Sequence, residues 1–541
     1  MATTPERTLW RWLCLIAVVL CLGAPGATPR GAEAARILVV ISMPAPSHLI
    51  VFTGLSRALA ERGHEITFVT PTEKDNKLLP TKNHVIVSVQ DAEVEAYKKK
   101  SVIKFLTNKN NFFVDFFGFI SWGPQLLRAT LKHPAFKAEI NKPGQKFDVV
   151  ITEAFFLQEA MVALGHKFNA PVVALNPFGL SPMVNEIMGN PMNPSWQPNA
   201  FLGFTDDMDF KERLLNTLSS TFMRTLYLMY QLPLQQEVVT EFFPDAPPLT
   251  DLLYDKLALT LINNHFSLSS PVPMVPGVVE IGGMHIPDKA RPLPKDLQTY
   301  MDEAKEGVVY FSMGSNLIME YVPAEKTTAI FNALGALKQR VLMKWDGPAP
   351  ANASANIRIV KWAPQADILA HPNLRLFVTH GGLLSTQESV YNSVPLVGIP
   401  TFADQEFNMK SAFNKGFCEY VSYTDLSEEK LGAAIAKVLA SPSYREAAAR
   451  LSRLFRSKPM RPADLAVFWV EHVIQHGGKH LRSASVRLKL YQVLLLDVLA
   501  VVLAPLVLLA LLLRALCRCC CGRKAAVVDK EDKKLRSKKN K

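Results

Sequence analysis

Cysteine is scarce where a folded core would lie. Of the seven cysteines in 541 residues, two fall within the first 21 residues and four lie between residues 517 and 521, which leaves Cys418 alone in between. An intramolecular disulfide is therefore excluded for the middle of the chain, and so is a metal site built from several thiolates. The cluster near the end indicates either palmitoylation or reduced cytosolic thiols.

Excess charge is also absent from most of the chain. The net charge is +12, but residues 514–541 hold eleven Lys and Arg against three acids and so carry +8 of it. The remainder is close to balanced, which gives no case for nucleic-acid binding by a folded part. A chain of this length exceeds one ordinary core, so we expect two domains with appendages.

The first predicted βα turn lacks a glycine fingerprint. Residues 36–42 form an apolar run typical of a buried parallel strand, residues 49–59 keep helical spacing, and residues 65–70 read as the next strand. The intervening turn is Met43-Pro-Ala-Pro-Ser-His48. Because it lacks the Gly-x-Gly-x-x-Gly pattern of dinucleotide-binding proteins, an NAD-linked enzyme is disfavoured.

Buried-type strands recur along the chain in two series. We predict two doubly wound α/β domains that face each other across a cleft, covering residues 36–285 and 297–485, with a Gly- and Pro-rich linker at 286–296. Residues 178–255 are rich in Pro, Met, Phe and Leu. This composition leaves three alternatives open, namely the wall of a binding pocket, a membrane-facing surface and plain core packing.

The two ends of the chain predict delivery to a membrane. Residues 1–35 have a basic start and a short apolar run, typical of a signal peptide; an uncleaved anchor is the alternative. Residues 490–513 are long and apolar enough to span a bilayer, and residues 514–541 form a basic tail, so we expect a single-pass type I protein. Lys538 and Lys539 match the dilysine pattern for retrieval to the endoplasmic reticulum; a merely basic tail is the alternative.

The stretch from Trp362 to Gln405 is the most informative part of the sequence. An apolar strand, residues 374–379, stops at His380-Gly381-Gly382, and a helix-compatible segment follows. A strand, a glycine turn and a helix N-terminus together hold phosphate groups in α/β proteins. An upstream tryptophan that stacks on a base and downstream polar side chains that bond hydroxyls would make this a nucleotide-sugar site.

The combined pattern of this stretch resembles the signature of the UDP-glycosyltransferases, in particular the animal microsomal enzymes. The sequence around His380 is most similar to that of the arthropod members. The matching positions are Trp362, Gln365, His380, Gly381, Gly382, Ser385, Glu388, Pro395, Pro400, Asp404 and Gln405. The resemblance implies two Rossmann-like domains in the GT-B arrangement. It also implies inverting transfer of a sugar, glucose by preference, from a UDP-sugar to a hydroxyl of a small lipophilic acceptor.

The resemblance assigns the residues that bind the donor. Trp362 would stack on uracil, and Gln365 and Glu388 would bind the ribose hydroxyls. The diphosphate would be held by His380, the backbone of Gly381 and Gly382, Ser385 and Ser315. Asp404 and Gln405 would bind the hydroxyls of the transferred sugar.

The resemblance also implies a catalytic pair in the first half. His48 stands at the start of a helix, where the helix dipole disfavours a second proton on imidazole, and would act as the general base. Its partner in the family is usually an aspartate at the end of a later strand. Glu153 stands at that position here and would stabilise the imidazolium.

Two further positions depart from the family pattern. Leu384 stands where many members have asparagine in the phosphate turn, and Val272 stands where many have a phosphate-binding arginine. These departures support the alternative function of a membrane-anchored nucleotide-sugar-binding protein with lost or weak catalysis.

The expected partners are a UDP-sugar as co-substrate, a lipophilic acceptor and the membrane, without nucleic acid. No metal or other cofactor is implied, since no paired acids lie near the phosphate turn. A homo-oligomer is left open. Asn352 begins an Asn-Ala-Ser sequon and is the predicted N-glycosylation site.

Overall fold

Among the residues that the structure describes, thirteen parallel strands organise the first of the two units into which the chain divides, Met1–Ser483 and Ala484–Lys541. This computed structural model describes residues 34–73, 79, 83–107, 112–351 and 353–539. The strands are β1 (Arg36–Val40), β2 (Glu65–Thr70), β3 (His84–Ser88), β4 (Val149–Thr152), β5 (Val172–Asn176), β6 (Leu257–Ile262), β7 (Val278–Glu280), β8 (Val308–Ser312), β9 (Arg340–Lys344), β10 (Ile357–Val360), β11 (Leu374–Thr379), β12 (Leu396–Gly398) and β13 (Cys418–Tyr420).

Helices connect the strands and cover both faces of the sheets. In the first unit they are α1 (Pro46–Glu61), α2 (Ala92–Leu106), α3 (Phe112–Lys132), α4 (Pro134–Ile140), α5 (Ala163–Lys167), α6 (Pro182–Met188), α7 (Phe210–Leu226), α8 (Leu232–Phe242), α9 (Leu249–Asp255), α10 (Lys295–Asp302), α11 (Ala324–Gly335), α12 (Gln365–Leu369), α13 (Leu383–Tyr391), α14 (Gln405–Asn414), α15 (Glu428–Ala440), α16 (Pro442–Arg456) and α17 (Pro462–His476).

The strands form two separate sheets in doubly wound order. The first runs β3-β2-β1-β4-β5-β6-β7 and the second β10-β9-β8-β11-β12-β13, with every pairing parallel. Each sheet has an apolar core on both faces, which explains why its strands read as continuous hydrophobic runs. The fold class predicted from the sequence is confirmed, although the sequence analysis had not identified β6, β7 or β13.

Two helices tie the halves of this unit together. From α2, Val102 and Leu106 join the core of the second sheet, and the Tyr423 hydroxyl donates to the Leu106 carbonyl oxygen at 3.1 Å. Helix α17 packs against α1 and the first sheet. Helix α17 falls within residues 297–485, which the sequence predicts as the second domain, yet it packs against the first sheet.

The helix that begins at Phe210 contains a defect. Helix α7 continues through a π-helical turn, Tyr227–Gln231, into α8. Pro233 lies in the first turn of α8 and has no N–H to donate. Its ring also crowds the carbonyl four residues earlier, which widens the preceding turn.

The second unit consists of helices, including α18 (Leu490–Val493) and α19 (Leu496–Lys539). Leu495, with φ of +54°, breaks the helix between them. Within α19, residues Leu496–Cys519 are long and apolar enough to cross a membrane, the one such helix among the residues that the structure describes. This helix overlaps the apolar segment predicted at residues 490–513.

Candidate active site

His48 lies at the carboxyl end of the first sheet, in the first turn of α1. The helix begins with Pro46, and no side chain caps its N-terminus. The imidazole is 4% exposed, and its Nδ1 lies 2.9 Å from Glu153 Oε2. Because Glu153 occupies Nδ1, Nε2 is the ring nitrogen of His48 that is left to contact a ligand.

Glu153 follows β4 and is fully buried behind His48. Gln158 Nε2 donates to Glu153 Oε2 at 2.7 Å, while Gln158 Oε1 accepts from the Ser42 backbone N–H at 2.9 Å. Glu153 Oε1 is buried without a hydrogen-bond partner among the described residues. Burial raises the pKa of the Glu153 carboxyl, and the bonds to His48 and Gln158 oppose this shift.

Aromatic rings fix the position of the His48 ring. The Phe178 ring meets it edge-on at 5.1 Å between centroids, and Phe156 lies 6.0 Å away. Phe156 and Leu157 have φ values of +56° and +72°, which β-carbon-bearing residues rarely adopt. This strained loop after β4 turns Phe156 towards His48, and no local pattern in the sequence indicated it.

The glycine turn after β11 is packed around the His380 ring. An added Cβ at Gly382 would lie 2.6 Å from His380 Nε2, and one at Gly314, where φ is +77°, would lie 2.5 Å from Cε1. The ring therefore fits between two glycines, of which Gly314 was not singled out from the sequence. Burial lowers the pKa of His380 to about 4, and nearby Lys344 adds to the shift, so the imidazole is neutral at physiological pH.

Ser315 is exposed in the turn after β8. Lys344, the last residue of β9, donates from Nζ to Ser315 Oγ at 3.2 Å and to the Gly314 carbonyl oxygen at 2.9 Å. The sequence predicts the strand that ends at Lys344 but assigns no role to its side chain. The signal for it was a cation at the carboxyl end of a strand next to the predicted phosphate turn.

Gln365, Ser385 and Glu388 form one hydrogen-bonded group. Gln365 Nε2 donates to Ser385 Oγ at 2.9 Å and to Glu388 Oε2 at 2.6 Å. Burial raises the pKa of Glu388 to about 7. His285 lies nearby, with Nε2 at 3.3 Å from the Leu384 carbonyl oxygen and 3.8 Å from Glu388 Oε1.

Trp362 follows β10 and is 70% exposed at the rim of the site. Such exposure is unusual for tryptophan, and an exposed indole face is available for stacking on a flat ring. Trp362 is therefore not part of the hydrophobic core.

Asp404 and Gln405 stand at the start of α14. Gln405 Oε1 accepts from the backbone N–H of Thr401 at 2.8 Å, which fixes the orientation of its amide. The Asp404 carboxylate makes no capping bond to the helix; its Oδ2 accepts from Asn408 Nδ2 at 2.9 Å. Burial raises the pKa of Asp404, and the proximity of His48 opposes the shift.

One cavity of about 1700 Å³ brings most of these residues together from both halves of the unit. It is lined by ten of the predicted site residues, His48, Ser315, Trp362, Gln365, His380, Gly382, Ser385, Glu388, Asp404 and Gln405. Glu153 lies behind His48, and Gly381 packs against Met409 beneath the turn. The first half also contributes large apolar side chains to the lining, among them Trp122 from α3 and Leu218 and Phe222 from α7.

Two other predictions concern glycosylation and metal binding. Asn352, the predicted glycosylation site, lies outside the described residues. No cluster of three or more His, Cys, Asp or Glu side chains suited to a metal ion occurs within the described ranges.

Comparisons with known proteins identify the family of the chain. Residues 35–534 match the family described as UDP-glucoronosyl and UDP-glucosyl transferase. The chain is 36% identical to UDP-glycosyltransferase UGT5 of Dactylopius coccus, over 86% of this chain and 88% of that protein. It is 32% identical to human UDP-glucuronosyltransferase 1A8, over 92% of this chain and 94% of that protein.

Solved structures show the same fold. A UDP-glucose: anthocyanidin 3-O-glucosyltransferase in complex with UDP superimposes with a TM-score of 0.54 at 16% identity, covering 82% of this chain and 99% of that one. The calicheamicin glycosyltransferase CalG4 gives the same TM-score and coverage at 16% identity. Both comparisons support the GT-B arrangement of two Rossmann-like sheets.

The fold and the site thus define a glycosyltransferase that uses nucleotide sugars. The chain belongs to the UDP-glycosyltransferase family, and it is an enzyme of the animal type within that family.

Proposed function

We propose that this enzyme inverts the anomeric carbon of a UDP-hexose and transfers the sugar to a hydroxyl of a small lipophilic acceptor. The observation that carries the proposal is the single cavity that holds His48 opposite the donor residues of the second half. Two reactants bound in one cavity are positioned for direct displacement.

In the proposed step, the acceptor oxygen attacks C1 of the sugar and its proton passes to His48 Nε2. The bond between C1 and the phosphate oxygen breaks, and UDP leaves from the opposite face with the bonding electron pair. Glu153 holds Nδ1 and stabilises the imidazolium that forms. General-base assistance of this kind typically accelerates a reaction ~100- to 10,000-fold.

The residues that bind the UDP-sugar each take one part of it in this proposal. Trp362 stacks on uracil, and the Gln365–Glu388 group binds the ribose hydroxyls. Ser315, Ser385, His380 and the glycine turn hold the diphosphate, with the backbone N–H groups at the start of α13 facing the anion.

We propose a neutral hexose, glucose in particular, as the sugar. Its hydroxyls would bond the Asp404 carboxylate and the Gln405 amide, and a carboxylate at this position repels the carboxylate of a uronic acid. One relative is named UDP-glucosyltransferase 2 of Dactylopius coccus, whereas the human relatives are named glucuronosyltransferases. We expect turnover with UDP-glucose to exceed turnover with UDP-glucuronate at least ~10-fold, a difference on the scale of one charged interaction. The reverse order would contradict the choice of glucose.

The acceptor would occupy the apolar side of the cavity. Trp122, Leu218 and Phe222 line this wall, and rings and aliphatic groups gain most from such burial. We expect phenols and lipophilic alcohols to be glucosylated and sugars or amino acids not to be. A panel of such acceptors, with products read by mass spectrometry, tests the class.

The reaction needs no metal in this proposal, because the phosphate site offers backbone N–H groups in its place. Activity that survives extensive treatment with EDTA is the expected result. Loss of activity that returns on adding Mg²⁺ would contradict it.

We further propose that the catalytic unit lies in the lumen of the endoplasmic reticulum and that the chain crosses the membrane once. The apolar part of α19 and the basic tail after it support this topology. The proposal includes the six segments that the sequence predicts. They are the signal peptide at 1–35, the two domains at 36–285 and 297–485 with the linker at 286–296 between them, the membrane-spanning segment at 490–513 and the basic tail at 514–541. In sealed microsomes, protease should remove a tag at Lys541 while the catalytic unit stays protected.

A binding protein with lost catalysis is the second candidate, because Leu384 interrupts the polar phosphate turn. UDP binding without transfer to any member of the donor and acceptor panels would favour it.

A further inference from the structure

The phosphate end of the cavity has neutral groups where an anion is expected to bind. His380 is uncharged, since burial lowers its pKa to about 4. Leu384 offers the turn an apolar side chain, and Ser315 and Ser385 are hydroxyls. UDP nevertheless carries at least two negative charges on its phosphates, and the charge near the sugar rises as the bond to C1 breaks. Hydrogen bonds to neutral groups stabilise such charge less than bonds to a cation do.

Lys344 is the cation placed at this end. Its Nζ lies 2.9 Å from the Gly314 carbonyl oxygen and 3.2 Å from Ser315 Oγ, in the turn that also encloses the His380 ring. The side chain is half-buried and lines the cavity. An ammonium has three N–H donors, so two of these bonds leave one for a ligand oxygen.

The other cationic side chains that line the described cavity belong to different surfaces. Lys98, Lys100 and Lys104 lie on α2 of the first half. Arg291 faces Asp367, with Nη2 at 3.4 Å from Oδ2. Lys344 is the cationic side chain that donates hydrogen bonds to the turn at Gly314 and Ser315, so it brings positive charge to that turn.

We propose that Lys344 binds the diphosphate of the donor and supplies the positive charge that the Leu384-containing turn lacks. The assignment rests on the proposed function, because it presumes a UDP-sugar in this cavity. The two bonds to the Gly314–Ser315 turn hold the ammonium in place before the donor arrives. The third N–H then meets a phosphate oxygen, and the contact strengthens as UDP gains the electron pair from C1.

The test compares UDP with uridine, which shares the base and ribose but has no phosphate. Dissociation constants for both are measured by calorimetry on the detergent-solubilised full chain. Replacing Lys344 with Met should weaken UDP binding about 10- to 100-fold, the usual range for one charge-assisted contact, and should change uridine binding less than about twofold. Lys344→Arg keeps the charge and should retain most of the UDP affinity.

Lys338→Met is the matched control, because this lysine is exposed in the loop before β9 and does not line the cavity. It should leave both ligands unaffected. Uridine binding by Lys344→Met also reports that the variant is folded.

Three outcomes would overturn the assignment. Unchanged UDP affinity in Lys344→Met would show that the ammonium does not meet the phosphates. An equal loss of uridine affinity would show that Lys344 only supports the cavity wall. Wild-type protein that binds no UDP would contradict the proposed function itself and, with it, the role of Lys344; the first two results leave the proposed function intact.

Discussion

Glu153 Oε2 lies 2.9 Å from His48 Nδ1, and both side chains are buried at the carboxyl end of the first sheet. The glutamate also accepts from Gln158, whose own oxygen is tied to the backbone of Ser42. This chain of bonds fixes the longer side chain of glutamate where the family usually has aspartate. Glu153 therefore reaches the imidazole despite its extra methylene.

Removing the charge of Glu153 should slow the reaction. Glu153→Gln keeps the size of the side chain but cannot stabilise an imidazolium, so we expect kcat to fall about 100- to 10,000-fold while uridine affinity is unchanged. Glu159→Gln is the matched control, since Glu159 is equally buried and bonds Gln231 instead of His48. A kcat for Glu153→Gln within about threefold of wild type, below the ~100-fold minimum for such help, would show that the pair is structural.

The pKa of Glu388 predicts a dependence of stability on pH. Burial raises this pKa from 4.5 to about 7, so between these values the folded protein holds a proton that the unfolded chain has lost. The contribution of Glu388 to stability therefore falls as the pH rises through that window. Glu388→Gln removes the effect, and its melting temperature relative to wild type should be higher at about pH 8 than at about pH 5.

Glu388→Gln should also bind uridine more weakly than the wild type. A neutral amide accepts hydrogen bonds from the ribose hydroxyls less strongly than a carboxylate does. Glu159, whose pKa burial also raises to about 7, provides the control. Glu159→Gln should show a similar shift of melting temperature with pH and unchanged uridine binding. Unaltered uridine affinity in Glu388→Gln would remove Glu388 from the ribose site.

The fit of His380 between two glycines predicts sensitivity to a single methyl group. In Gly382→Ala the new Cβ would lie 2.6 Å from His380 Nε2, so the ring must move and UDP affinity should fall about 10-fold, the cost of one displaced donor. Gly432, inside α15, has no atom within 4 Å of an added Cβ. Gly432→Ala should leave UDP binding alone and stabilise the helix by up to ~1 kcal/mol. Normal UDP binding by Gly382→Ala would mean that the ring position is unimportant.

The exposed indole of Trp362 predicts a base-stacking contribution. Trp362→Ala should weaken uridine binding about 5- to 100-fold, since one stacked base is worth ~1–3 kcal/mol. Trp362→Phe keeps an aromatic face and should lose less. Phe468→Ala removes another exposed aromatic, on α17 outside the cavity, and should have no effect. Equal affinities for all three variants would contradict stacking.

The donor side of the site was readable from the sequence because its residues are close together along the chain. The segment from Trp362 to Gln405 contains strands β11 and β12, the glycine turn and the starts of α12, α13 and α14, and local geometry alone brings these residues to one end of the sheet. Most of the buried strands, although not β6, were recognisable because a strand covered on both faces is apolar throughout.

The missed features depend on contacts that are distant in sequence. Phe156 packs against His48, and Gln158 bonds Glu153, from a loop with unusual backbone angles that no residue pattern encodes. Lys344 approaches Ser315 only because β9 pairs with β8. The edge strands β7 and β13 are three residues long, too short to show a period.

The most direct test of the account is the turnover of His48→Ala, measured with UDP-glucose and a phenolic acceptor on detergent-solubilised protein. We predict a fall in kcat of about 100- to 10,000-fold with UDP affinity within about threefold of wild type, because only the proton acceptor is lost. His166→Ala, at a histidine of α5 that does not line the cavity, should behave like wild type. Undiminished transfer by His48→Ala, with UDP still bound, would contradict the assignment of His48 as the general base.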